Sequence, residues 1–302
     1  MKYLENIRKT IRAVWRIYDD RKQLRFDQRK HLLEQNLLGD VISGITDERY
    51  CNHEVIVSLT TYDKRLYDVH LAIESVMQQT MKANRIILWL ADELKDRPLP
   101  RALMMQCERG LEIRFCKDLR SYKKLVPALQ EFPENAIITI DDDILYEIDM
   151  LERLISAYQQ DSHYIYCCRQ HYMRLDKNRH LLPYRQWKWE YPVIGEADVM
   201  NFPTGCAGTL YPPHSLDEEV FNETVFMDIC PYADDVWFKA MAMKKGTLSQ
   251  KVCTHFASGN DFLENDSVQE TRLSKLNTEG ECLNDKQIDA VFRKYDLYKL
   301  LR

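Results

Sequence analysis

Residues 136–146 read AIITIDDDILY: a short, continuously apolar run leads straight into Asp141, Asp142 and Asp143. A run of this kind fits a strand buried on both faces, the hallmark of a parallel sheet covered by helices. In open α/β sheets ligands bind beyond the carboxyl ends of the strands, so the acids stand where chemistry is expected. Three adjacent carboxylates repel one another, and something must offset that repulsion. In extended chain Asp141 and Asp143 project to one side and Asp142 to the other, which lets the first and third share a cation. Mn²⁺ and Mg²⁺ accept oxygen ligands and typically combine one or two carboxylates with substrate phosphates and water. A solvated turn whose first acid caps the following helix would need only one aspartate.

Outward from this strand, the chain between residues 53 and 160 alternates strand and helix patterns. HEVIVSLT (53–60), NRIILWLAD (84–92) and LEIRFCKD (111–118) read as strands. LYDVHLAIESVMQQ (66–79), RALMMQCER (101–109, stopped by Gly110), SYKKLVPALQEF (121–132) and EIDMLERLISAYQQ (147–160, directly after the acids) read as helices. Repeated βαβ units predict an α/β fold with a mostly parallel central sheet. Beyond residue 162 the pattern loosens into aromatic, turn-containing sequence. PTGCAGTLYPP (203–213), an apolar helix DDVWFKAMAMKK stopped by Gly246, a short strand LSQKVCTH (248–255) and a final helix LNDKQIDAVFRKYDLYKLL (283–301) follow.

Residues 1–45 form a separate extension. Leu4, Ile7, Ile11, Val14, Trp15 and Tyr18 recur at helical spacing among Lys2, Arg8, Lys9, Arg12, Arg16, Arg21 and Lys22. This amphipathic basic helix either packs on its own domain or a second subunit, or makes a peripheral membrane contact through residues 1–30. Residues 46–302 are expected to form one domain: a nucleotide-binding half (46–145), an acceptor-side half (146–265) and a C-terminal helical segment (266–302).

Composition narrows the function classes. A net charge of −5 from 42 basic and 47 acidic residues supplies no global positive field, which excludes general nucleic-acid binding. Nine cysteines, an odd number without a CxxC pair, point to reduced thiols in a cytosol. No stretch approaches the roughly 20 apolar residues of a membrane span, and the N-terminus lacks a signal peptide's apolar region. A cytoplasmic protein is expected, with the inner face of the membrane as the place to which the basic helix would take it.

ITIDDDILY resembles the DxD region of GT-A-fold glycosyltransferases. VIVSLTTYDKRL, SYKKLVPAL, PTGCAGTLYPP and ADDVWFKAMA, in that order, resemble a bacterial group of that class that builds surface polysaccharides. The resemblance spans roughly residues 53–262. It implies a GT-A-like fold and transfer of a sugar from a nucleotide-diphosphate donor, a UDP-sugar favoured, to a glycan or lipid-linked acceptor with inversion. It also implies that Asp143 chelates Mn²⁺ or Mg²⁺ while Asp141 and Asp142 contact ribose, or the metal through water. Thr60, Thr61 and Tyr62, with Arg65 nearby, would hold the nucleoside, and Asp92 at the end of its strand would meet the base. Asp235, beside Asp234, would be the catalytic base, and His255 a third protein ligand of the metal.

Other readings come from the residues themselves. Lys123 or Lys124 can meet a diphosphate. Gly205 and Gly208 let a ligand or another backbone approach closely, and a bulge explains them equally well; the resemblance puts them on the acceptor side. Trp187 and Trp189 offer faces for stacking on an acceptor sugar, or fill the core. Asp234 and Asp235 also suit simple charge–dipole stabilisation of a helix start. Two rival functions stand beside the transferase: a non-catalytic nucleotide-sugar or glycan-binding subunit, and a sugar nucleotidyltransferase. The latter would want a glycine-rich basic loop after the first strand, where SLTTYDKRL offers Lys64 and Arg65 but no glycine.

Overall fold

The computed structural model describes residues 2–39, 42–265, 277 and 282–301, with side chains described from residue 20 onward. The expected strands form. β1 (Val55–Thr60), β2 (Arg85–Ala91), β3 (Leu111–Cys116) and β4 (Ala136–Thr139) alternate with α2 (Val69–Met77), α3 (Arg101–Cys107) and α4 (Val126–Glu131); α1 (Lys2–Gly39) precedes them. β1 runs parallel to β2 from Ile56↔Arg85 to Thr60↔Trp89 and to β4 from Val55↔Ala136 to Ser58↔Thr139. With β6 (Ile165–Cys167), β9 (Thr209–Tyr211) and β10 (Ser249–Lys251) they build a seven-stranded sheet in the order β10-β6-β9-β4-β1-β2-β3. All neighbours are parallel except those of β9, which runs antiparallel to β4 and β6. The fold is therefore α/β with a mostly parallel central sheet.

Period-two alternation explains why this sheet is apolar throughout. Ile56, Ile87, Trp89 and Ile137 point into one core, while Val57, Leu59, Ile86, Leu88 and Ile138 point into the other. The second core takes α2 and α5 (Met150–Gln160); the first takes α7 (Asp234–Lys245) and α8 (Leu283–Lys294). α6 (Glu223–Ile229) adds Phe226, stacked on Tyr122 with ring centroids 4.1 Å apart. Gly246 ends α7 at φ 88°, where its N–H bonds the Ala242 and Met243 carbonyls, as expected of a left-handed stop. Gly110 sits at φ 109°, and a Cβ there would lie 2.6 Å from Ile45 Cγ1, so both backbone and packing require glycine.

The run around the acids departs from expectation. The chain turns at Asp142 and Asp143 instead of staying extended, and a short strand β5 (Ile144–Tyr146) comes before α5. The alternate-side argument for Asp141 and Asp143 therefore fails, and the capping position of α5 belongs to Asp149. β5 pairs antiparallel with β11 (Phe262–Glu264), and β7 (Gln170–Tyr172) with β8 (Asn201–Pro203). α1 is helical over its described length. Its Phe26 and Leu33 pack on Leu71 and Leu145, with Leu263 at the edge of the same cluster. The apolar stripe from Leu4 to Tyr18 lies outside the described side chains, as does most of 266–281. No helix among the described residues is long and apolar enough to cross a membrane.

Candidate functional site

Two features of the topology bring the chemistry together. Parallel pairing of β1 and β4 puts Thr60 and Thr61 beside the acid turn, with Ile140 N–H bonding the Ser58 carbonyl at 3.2 Å. Antiparallel β9 enters the sheet with Thr209 opposite Thr139, so the Gly205–Gly208 loop before it lands at the carboxyl end of β4. That loop then meets the start of α7: Gly205 N–H lies 3.2 Å from both carboxylate oxygens of Asp235.

The three acids have different surroundings. Asp142 is tied down: it accepts from Thr61 Oγ1 at 2.6 Å and from Arg65 Nη1 at 2.8 Å. Burial nonetheless raises its pKa, against the pull of Arg65 and Thr61. Asp143 Oδ2 lies 3.2 Å from the same guanidinium nitrogen. Asp141 is the most open, its side chain 29% exposed, with Oδ1 3.0 Å from Lys124 Nζ. Tyr146 locks this turn to the glycine loop, its hydroxyl accepting from Asp141 N–H at 2.8 Å and donating to the Cys206 carbonyl at 3.0 Å. Burial, then Asp141, then Cys206 and Asp143 hold the Tyr146 phenol well above its ordinary range, so both outer carboxylates act on it.

Lys124 is the hub. Its ammonium also meets Asp234 Oδ2 at 3.0 Å, as an ion pair rather than a well-aligned hydrogen bond. Burial alone would lower its pKa, but Asp141, Asp234 and Asp235 together raise it well above normal, so it stays charged. Asp235 is driven the other way. Burial first, then repulsion from Asp234, raises its pKa to about 7 against the attraction of Lys124. A Cβ on residue 205 would lie 2.9 Å from both Asp235 Oδ1 and Lys124 Nζ, so only glycine lets these three groups converge.

These groups border a cleft of about 1490 Å³ that Thr60, Thr61, Tyr62, Arg65, Lys123, Lys124 and Asp141–Asp143 line on one side, and Asp234 and Asp235 on another. Tyr62 is 42% exposed, with the Arg65 guanidinium 5.4 Å from its ring centroid. Lys123 borders the cleft but is ion-paired with Asp118. Other expected residues are not brought in. Asp92 sits in a short turn after β2, away from the cleft lining. Gly208 serves packing: at φ 98°, a Cβ would lie 2.9 Å from Met150 Sδ. Trp187 is core, 4% exposed between Tyr184 and Phe202, because its Nε1 donates to the Leu182 carbonyl at 2.8 Å and turns the ring inward. Trp189, by contrast, is 43% exposed in the cleft and stacks on His171 with centroids 4.8 Å apart. His255 does not line the cleft; its Nε2 lies 3.4 Å from Asp149 Oδ2. Among the described residues no group of three His, Cys, Asp or Glu side chains gathers as a metal cage.

Several cleft residues escaped the sequence reading. Arg169 joins Glu190 (3.2 Å), Asn260 (2.9 Å) and Thr204 (3.0 Å). His171 accepts from Glu190 N–H on Nδ1 at 3.0 Å, and burial, then Arg169, depresses its pKa to about 3, so it is neutral. The only signal for either was the crowding of polar residues into CCRQHYM after a strand.

No protein-family model and no curated protein matches the chain. Among solved structures it resembles CMP:2-keto-3-deoxy-manno-octonic acid synthetase complexed with CTP, at 11% identity and TM-score 0.39 over 67% of this chain and 89% of that one. It also resembles HddC from Yersinia pseudotuberculosis complexed with GMP-PN, at 15% identity and TM-score 0.30 over 53% of this chain and 76% of that one. Neither of these proteins is named for a transfer of sugar to a glycan or lipid-linked acceptor in polysaccharide biosynthesis, and that expectation is withdrawn.

Proposed function

We propose that the cleft binds a nucleotide together with a divalent cation, and that Asp235 takes the proton of a hydroxyl on a second substrate, making this chain a nucleotide-dependent transferase. The observation that carries the reading is the convergence at Gly205. A half-buried carboxyl with its pKa raised to about 7 lies beside a charged lysine, at the carboxyl edge of the sheet. A base poised near neutrality is half-ionised at working pH and still strong enough to accept a proton, which is what general base catalysis needs.

The cation is judged by its donors. Asp142 is held by Thr61 and Arg65, while Asp141, paired with Lys124 through Oδ1, and Asp143, paired with Arg65 through Oδ2, are a hard-donor pair of carboxylates that fits Mg²⁺ or Mn²⁺ completed by phosphate and water. His255 has no part in this set. When bound, such an ion neutralises charge on the phosphate oxygens. The chain's own contributions are separate: Tyr62 and the threonines offer a wall for the nucleoside, Lys124 supplies positive charge next to Asp141, and Tyr146 holds the two loops in register. The form we put forward is nucleotidyl transfer. The hydroxyl oxygen attacks phosphorus as its proton passes to Asp235, and the bond to the pyrophosphate oxygen breaks with its electron pair leaving on pyrophosphate. The loop after β1 has no glycine, so side chains rather than a backbone cradle would hold the phosphates.

Thermal melting with CTP, UTP and GTP, each with and without Mn²⁺, on wild type and Asp143→Asn tests this. A ligand at about 100 times its dissociation constant stabilises by roughly 2.7 kcal/mol. A metal-dependent shift with one nucleotide, lost in the mutant, is expected; pyrophosphate release on adding a mixture of sugars then shows attack at phosphorus. No shift with any nucleotide would overturn the proposal, and metal-dependent binding without turnover would favour the binding-subunit reading.

A further inference from the structure

The N-terminal helix does more than pack. Beyond the acid turn, the cleft is walled by the stretch of α1 from Asp20 to Arg25 and by the β11 strand beside it. Phe26 and Leu33 anchor that part of the helix in the apolar cluster with Leu71 and Leu145, and Lys22 Nζ meets Glu264 Oε2 at 3.2 Å. These contacts fix which way the helix faces.

The basic side chains of the cleft fall into two groups. Lys22, Arg65, Lys123, Lys124 and Arg169 are ion-paired with acids on the protein. Arg120, Arg21 and Arg25 are not. Arg120 is nonetheless engaged, its guanidinium stacked 4.4 Å from the Tyr232 ring centroid and donating to the Pro231 carbonyl at 3.3 Å. Arg21 and Arg25 are exposed, border the cleft and have no ion pair or hydrogen bond among the described residues. Four positions apart, they share one face of the helix. Two guanidiniums side by side offer planar, paired donors suited to a phosphate or carboxylate.

We infer that Arg21 and Arg25 form an anion-binding site on the wall of the cleft, which takes a phosphate- or carboxylate-bearing group of a substrate bound over the acid turn. The inference rests on the proposal that the cleft handles phosphorylated ligands. It assigns the helical extension to the substrate site and accounts for a basic face on an otherwise acidic chain. The anion belongs either to the nucleotide's own phosphates or to an acidic second substrate.

Isothermal titration with inorganic pyrophosphate, in chelator and without divalent metal, tests it on the full chain. Wild type and Lys30→Gln, a change on the same helix outside the cleft, are expected to bind alike. Arg21→Gln/Arg25→Gln is expected to bind at least tenfold more weakly with unchanged melting, and Arg21→Lys/Arg25→Lys to recover part of the affinity. Repeating the titration with the Mn²⁺-bound nucleotide present separates the sources: competition assigns the arginines to the nucleotide's phosphates, simultaneous binding to the second substrate. The inference is overturned by absence of pyrophosphate binding in wild type, by equal binding in the double Gln variant, or by an equal loss in Lys30→Gln. It is also overturned if the double Gln variant loses only its binding to phosphatidylserine vesicles, which would give the arginines to a membrane. Failure of the transferase proposal would show separately, as nucleotide binding that is metal-independent or unchanged in Asp143→Asn.

Discussion

Replacing Asp235 with asparagine separates chemistry from stability, because the structure predicts opposite effects on the two. The carboxyl is half-buried beside Asp234, and desolvation followed by that like charge raises its pKa to about 7. An unfolded chain would hold it near the ordinary value of 3.8. Between these two values the native state binds more protons than the unfolded state, so stability falls as pH rises through this window and is fully present only below it. Moving a carboxyl from 3.8 to about 7 corresponds to on the order of 4 kcal/mol lost by pH 8. Asparagine is nearly isosteric, keeps an oxygen for the Gly205 N–H and leaves Lys124 paired with Asp141 and Asp234. Asp235→Asn should therefore match wild type in urea denaturation at pH 4 and become progressively more stable than wild type as pH rises to 8. Its turnover should fall by about 10²- to 10⁴-fold with nucleotide binding retained, and the wild-type rate should rise with pH until about 7 and then level. A mutant less stable than wild type at pH 8, or a stability difference that does not change between pH 4 and 8, would refute the argument that this carboxyl is strained by burial and like charge.

Other substitutions probe the supports of the site. Gly205→Ala places a methyl 2.9 Å from both Asp235 Oδ1 and Lys124 Nζ, and should lose about 1–3 kcal/mol in urea melts together with most turnover. Tyr146→Phe removes the hydroxyl that joins Asp141 N–H to the Cys206 carbonyl. A loss of about 1–3 kcal/mol is expected, with weaker Mn²⁺-dependent nucleotide binding by titration. Far from the cleft, Arg109→Ala strands the fully buried Glu74, whose two oxygens each lie 2.9 Å from Arg109 Nη1. It should lower stability by about 3–5 kcal/mol in chemical denaturation, because an uncompensated carboxylate remains inside.

The sequence by itself determined the sheet and its reactive edge. Runs such as VIVSLT and RIILWLA bury alternate residues in two cores, and that pattern can be read without partners because it depends only on the period of a strand. It also determined the acids at the end of β4, since a buried strand has nowhere else to release charge. What the acids do was decided by tertiary structure. The turn at Asp142 and Asp143 and the capture of Asp142 by Thr61 and Arg65 depend on a register between β1 and β4, residues separated by some eighty positions. The fates of two neighbouring tryptophans were equally invisible: Trp187 turns inward because the Leu182 carbonyl accepts its N–H, and Trp189 lies on His171 at the surface of the cleft. The resemblance gave Asp92 to the base and His255 to the metal, but the strands they follow, β2 and β10, are not neighbours of β4, and neither residue lines the cleft. Gly205 marks the boundary: the sequence showed a glycine where something approaches, while only the fold brought Lys124 and Asp235 there, because β9 runs antiparallel to β4.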